Sequence, residues 1–212
     1  MGIPVMILGE SGSGKSASMR NFTGKEIGVI NVSGKPLPFR SDIKTFRSDD
    51  YMQIDQVLRK ATSKSIVIDD AQYLMSYEFM RRSDESGFQK FTDIGKNFWA
   101  LVQVVIRELP DDVIVYFMCH SERDQDGNEK AKTIGKLLDE KITLEGMFTI
   151  VLKTKVIDGQ YRFRTQTSGR DTVKSPIGLF DEADIENDLK LVDRKIREYY
   201  ELNKNTKKGE KQ

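Results

Sequence analysis

The sequence has a single cysteine, Cys119, and a single histidine, His120, in 212 residues. One thiol rules out a disulfide framework, and with one imidazole beside it a Cys/His zinc site is nearly excluded. No segment approaches the ~18 consecutive apolar residues of a membrane span, so no membrane partner is expected. The opening Met-Gly-Ile-Pro-Val lacks the basic flank and apolar segment of a secretory signal, and the expected location is the cytoplasm. An excess of one charge is missing too: 34 Lys and Arg face 33 Asp and Glu. No global basic surplus therefore advertises nucleic acid. What remains is a polar composition, 38% hydrophobic and 32% charged, on a chain long enough for one domain with a tail. A chain of that length buries roughly 70% of its unfolded surface.

The first residues carry the chemistry. Ile3 to Leu8 is a short apolar run suited to a buried parallel strand, with Pro4 at its start, where a missing N–H is tolerable. It leads into Gly9, Glu10, Ser11, Gly12, Ser13, Gly14, Lys15 and Ser16, followed by Ala17, which match GxxxxGK[ST] at every fixed position. Glycines let such a loop curl so that successive N–H groups point at phosphate oxygens. A helix expected over Ser16 to Phe22 would add its N-terminal partial charge. Lys15 would set an ammonium between the β- and γ-phosphates, and the Ser16 hydroxyl would complete a Mg²⁺ shell.

Such a loop calls for a second strand ending in an acid. Ser65-Ile66-Val67-Ile68-Asp69-Asp70 supplies one. Asp69 is the metal-side candidate; Asp70 either orients the attacking water or only opens the next turn. Further runs alternate. Ile27 to Val32 reads as a strand, Tyr51 to Lys60 as a helix, Phe88 to Leu109 as a long helix stopped by Pro110, and Val113 to Met118 as a buried strand. The expected fold class is α/β: a mainly parallel central sheet flanked by helices, with a C-terminal β-hairpin and a terminal helix. The core domain is expected over 1–180, an amphipathic helix over 181–202 and a disordered polar tail over 203–212. His120 follows the Val113 strand at once, where ligands sit in parallel sheets. It is either a γ-phosphate sensor or a satisfied buried imidazole.

Asp158-Gly159 is the strongest hairpin signal, and a two-residue turn pairs 157 with 160, 155 with 162 and 153 with 164. That register puts Lys153, Lys155, Arg162 and Arg164 on one face and Val156, Tyr161 and Phe163 on the other. Four cations together suit nucleic-acid phosphate, the acidic face of a neighbouring subunit, or water. Arg81, Arg82 and Lys90, interleaved with Tyr77, Phe79 and Phe88, form a second place where single strands could stack. The five acids of Asp181 to Asp188 could meet the basic hairpin head to tail between copies. Ile185, Leu189, Val192, Ile196 and Tyr199 form a helical stripe for docking in the chain or on another subunit.

In this order, the phosphate loop, the Ile-Asp-Asp strand end, the strand ending in His120, the Asp-Gly hairpin and Lys174-Ser-Pro resemble the RecA-like P-loop ATPase family of phage ATP-binding proteins. That group includes short recombinases of the single-strand annealing type. The resemblance spans roughly residues 3 to 180 and implies a RecA-like sheet with the Asp69 and Val113 strands next to the Ile3 strand. It implies ATP and Mg²⁺ as cofactors, a homo-oligomer, and single-stranded DNA with a single-strand DNA-binding protein as partners in phage recombination or replication. The location would then be the host cytoplasm. Lys174 matches the position from which relatives send a cation to the neighbouring subunit's γ-phosphate. The chain departs from recombinases in lacking a Glu after the Ile27 strand and in placing Ser175-Pro176 after Lys174, so the expected hydrolysis is slow. The other readings are a nucleotide-gated loader or adaptor that barely hydrolyses ATP and, further off, a small-molecule kinase.

Overall fold

The computed structural model describes residues 1–202; the polar tail expected over 203–212 lies outside the described residues. Its elements are β1 (Ile3–Gly9), β2 (Gly28–Asn31), β3 (Thr45–Arg47), α1 (Tyr51–Lys60), β4 (Ser65–Asp69), α2 (Tyr73–Arg81) and α3 (Gln89–Glu108). They continue with β5 (Ile114–Arg123), β6 (Glu129–Ala131), β7 (Ile150–Ile157), β8 (Gln160–Arg164), β9 (Asp184–Glu186) and α4 (Leu189–Tyr199). One mixed sheet runs β3-β2-β4-β5-β1-β7-β8-β9, with β6 paired to the far end of β5. The six strands from β3 to β7 are parallel. β6, β8 and β9 join antiparallel. No helix among the described residues is long and apolar enough to cross a membrane.

The apolar runs make this sheet because both faces are covered. In β1, Met6 and Leu8 pack with Ile54, Leu74, Phe98 and Val102 of α1, α2 and α3, while Val5 and Ile7 pack with Met19, Leu189, Val192 and Ile196 on the opposite side. Alternate residues of one strand thus feed two cores, which explains an apolar run with no polar alternation. α1 starts where Asp50 accepts the Gln53 N–H at 2.9 Å. α4 starts where Asp188 accepts from Lys190 N and Leu191 N. A buried carboxylate then clamps α4 to the sheet: Asp193 accepts from Ser65 Oγ at 2.7 Å, Tyr116 Oη at 2.9 Å and Arg197 Nε at 2.7 Å.

Several expectations change. The Asp69 strand is not next to the Ile3 strand, because β5 lies between β4 and β1. The stretch after Lys15 is a six-residue 3₁₀ helix, Ser16–Asn21, not an α-helix. Ser18 Oγ bonds back to Lys15 O at 2.6 Å, a local contact that competes with a regular turn, and so short a helix adds little dipole. The Val113 run does not stop at Met118: β5 continues through His120 to Arg123 as one arm of a hairpin with β6. In the segment expected as one helix over 181–202, residues Asp184–Glu186 form a strand on β8 and the helix begins at Leu189. That strand puts the acids beside the basic hairpin within one chain. Asp184 pairs with Lys155 at 2.7 Å and with Arg164 at 3.3 Å, so the head-to-tail match between copies is not needed. The C-terminal stripe docks on its own core, with Leu189, Val192 and Ile196 fully buried.

Candidate functional site

The parallel ladder between β1 and β5 ends with Gly9 opposite His120. Beyond that edge, the loops after β1, β2 and β4 and the residues of β5 enclose a cleft of about 290 Å³, closed on its far side by Tyr161 of β8. Strand ends in a parallel sheet leave unpaired backbone groups, and the residues that follow them are free to carry chemistry.

The Gly9–Ser16 loop is fixed from within and from β7. Ser13 Oγ donates to Glu10 O at 2.7 Å and shares a 2.6 Å hydrogen bond with Thr154 Oγ1. Gly12 and Gly14 have φ of 77° and 100°, which L side chains rarely adopt. At Gly9 a methyl group would lie 2.0 Å from Thr154 Oγ1. Lys15 is buried, and its ammonium donates to Gly9 O and Glu10 O, both at 2.8 Å. Burial holds its pKa below the ordinary lysine value, although Asp70, Cys119 and Asp69 favour the charged form.

Ser16 Oγ donates to Asp69 Oδ1 at 2.8 Å, joining the end of the loop to the end of β4. Burial pushes the Asp69 carboxyl up to about 6; the Ser16 bond works against this and the Asp70 charge reinforces it. Asp70 has φ of 58°, an unusual value for a non-glycine residue, and its carboxylate turns toward His120. His120 Nε2 is 3.4 Å from Asp70 Oδ1, and Lys35 Nζ is 3.7 Å from Oδ2. Burial would raise the Asp70 pKa, but the hydrogen bonds from His120 and Ser33 and the Lys35 charge outweigh it and leave a lowered value. Asp69 and Asp70 are therefore neighbours in sequence with opposite tendencies: one tends to hold a proton and the other to stay ionised.

Of the expected site residues, Gly9 to Ala17, Asp69, Asp70 and His120 gather around this edge. Lys174 does not. It is exposed and bridges Val151 near the start of β7, outside the cleft of its own chain. The hairpin register is as expected, 157 with 160, 155 with 162 and 153 with 164. Three of its four cations are ion-paired, however. Lys153 pairs with Glu129, Lys155 and Arg164 with Asp184, and Arg162 donates to Gln160 at 2.9 Å. Arg81 pairs with Asp49, and Arg82 with Glu78, Glu85 and Asp93. Lys90 donates to Arg82 O, Ser83 O and Glu85 O around the end of α2.

Sequence reasoning missed Ser33, Lys35, Gln72, Tyr73 and Tyr161. Lys35 lies over the Tyr73 ring at 5.2 Å, and Tyr73 meets His120 edge-on at 5.9 Å. Gln72 Oε1 accepts the His120 N–H at 3.2 Å, tying the two strand ends together. Ser33 and Lys35 were findable by the rule that loops after parallel strands carry function; Tyr161 had no such signal. Neither a protein-family model nor a curated protein matches the chain. Chemically, the Ser16 hydroxyl and Asp69 carboxylate are hard oxygen donors. No group of three or more His, Cys, Asp or Glu able to hold a metal occurs among the described residues. A cation held here would draw the rest of its shell from ligand oxygens and water, the usual habit of Mg²⁺.

Proposed function

We propose that the protein is a Mg²⁺-dependent ATP-binding protein with a RecA-like P-loop NTPase fold and slow ATPase activity. The single observation that carries this reading is the Ser16–Asp69 hydrogen bond of 2.8 Å, which joins the loop motif to the acid-ended strand across 53 positions. The position of β5 between β1 and β4, with His120 beside Gly9 and Asp70, supports the same reading. Gly9 to Ser16 would hold the phosphates by backbone N–H groups and Lys15, and Ser16 and Asp69 would hold Mg²⁺. Bound Mg²⁺ would neutralise phosphate charge. Asp70, kept ionised, is the residue to orient water, and His120, hydrogen-bonded to it, is the one to report on the terminal phosphate.

The process served, phage recombination or replication on single-stranded DNA with its binding protein, rests on the resemblance, as do the homo-oligomer and the action of Lys174 in trans. One observation favours a second reading. Lys153, Lys155, Arg81, Arg82 and Arg164, the cations expected to meet nucleic acid, are paired with carboxylates of their own chain. A nucleotide-gated loader or adaptor would not need them free. Steady-state ATP turnover with and without single-stranded DNA separates the two. DNA-stimulated hydrolysis abolished by Lys15→Ala supports the ATPase, and tight ATP binding without turnover supports the adaptor.

A further inference from the structure

We propose that the cleft recognises the base of a nucleoside triphosphate as well as its phosphates, with the Tyr161 ring as the stacking surface. This rests on the nucleotide-binding reading above. Two observations carry it.

The first is the length of the cleft. Its lining reaches from Asp70 after β4 to Tyr161 on β8. Those strands are four steps apart in the sheet, about 19 Å at roughly 4.8 Å per step, with the Gly9–Ser16 loop between them. Phosphates held by the loop and Lys15, with the terminal one toward Asp70 and His120, fill one end and direct the nucleoside toward the other. The second is the ring itself. Tyr161 is 46% exposed, whereas Phe163, two residues on and facing the same way, is fully buried. The Tyr161 ring lies so close to the loop that a methyl group on Gly14 would be 2.8 Å from its Cδ1. An accessible aromatic ring at the edge of a polar cleft is a platform for a flat ligand, since every base has a π-face.

The test is calorimetric titration of the full chain in Mg²⁺ with ATP and, separately, with inorganic tripolyphosphate, which has no base. Tyr161→Ala is expected to weaken ATP about ten-fold and leave tripolyphosphate unchanged, while Tyr161→Phe keeps ATP near wild type. Unchanged ATP affinity in Tyr161→Ala, or parallel losses for both ligands, overturns the base subsite. Wild-type protein that binds tripolyphosphate as tightly as ATP overturns it too and leaves the phosphate site standing. Wild-type protein that binds neither ligand overturns the nucleotide reading itself.

Discussion

Replacing Asp69 with Asn should make the ligand-free protein more stable while it destroys the site. The Asp69 carboxyl is 6% exposed, and its one short hydrogen bond, from Ser16 Oγ, is not enough to offset burial. Its pKa consequently rises from an ordinary 3.8 to about 6. A carboxyl that binds its proton more tightly when folded loses stability as pH climbs from 3.8 to 6, and the cost is complete near pH 7. The size of that shift corresponds to about 3 kcal/mol. Asn keeps the shape and can still accept from Ser16, but it carries no charge. At pH 7 Asp69→Asn should therefore gain up to about 3 kcal/mol, or roughly 6–12 °C in melting temperature for a chain of this size. The gain should fade toward pH 4, where the wild-type carboxyl is protonated. With Mg²⁺ and ATP the order should reverse, because only the wild type gains stability from binding. Melting curves at pH 4 and pH 7, with and without ligand, measure all of this. A variant no more stable than wild type at pH 7, or one whose gain is independent of pH, refutes the claim that Asp69 is a charge held at a cost for a cation.

Other substitutions probe the frame around the site. Gly9→Ala puts a methyl group 2.0 Å from Thr154 Oγ1 and should cost about 1–3 kcal/mol in urea denaturation. Adding Thr154→Ala should recover part of that loss, and strict additivity would argue against the contact. Asp193→Ala removes the acceptor shared by Ser65, Tyr116 and Arg197 and should cost about 3–5 kcal/mol, with α4 loosened in hydrogen exchange. Arg164→Glu should lower stability by about 1 kcal/mol, as expected for a partly exposed pair with Asp184, and leave retention on single-stranded DNA unchanged. A clear loss of DNA retention would return the hairpin to the binding surface.

What could be read from the sequence follows the range of the physics involved. α1 was legible to the residue because Asp50 caps it and its apolar spacing is local. The hairpin register was legible because Asp158 and Gly159 both need positive φ, 49° and 75°, and a two-residue turn of that kind fixes every pair beyond it. Strand order was not, since nothing in Val113 to Met118 says that this strand inserts between β1 and β4. Asp184–Glu186 has no strand composition of its own; the Arg162 and Arg164 backbone across from it makes it one. The same division runs through the site. Lys15, Ser16, Asp69, Asp70 and His120 lie on motifs or strand ends and could be named from the sequence, and they gather at one edge of the sheet. Tyr161 and Lys35 join the cleft only through tertiary contacts, and the pairing of the surface cations with acids far along the chain was equally hidden.

The most direct test of the central claim is equilibrium titration of the purified chain with ATP in the presence of Mg²⁺, beside Lys15→Ala. Saturable binding of one ATP per chain, abolished by Lys15→Ala and dependent on Mg²⁺, is the predicted result. No binding of any adenine or guanine nucleotide by the folded wild-type protein would contradict the account.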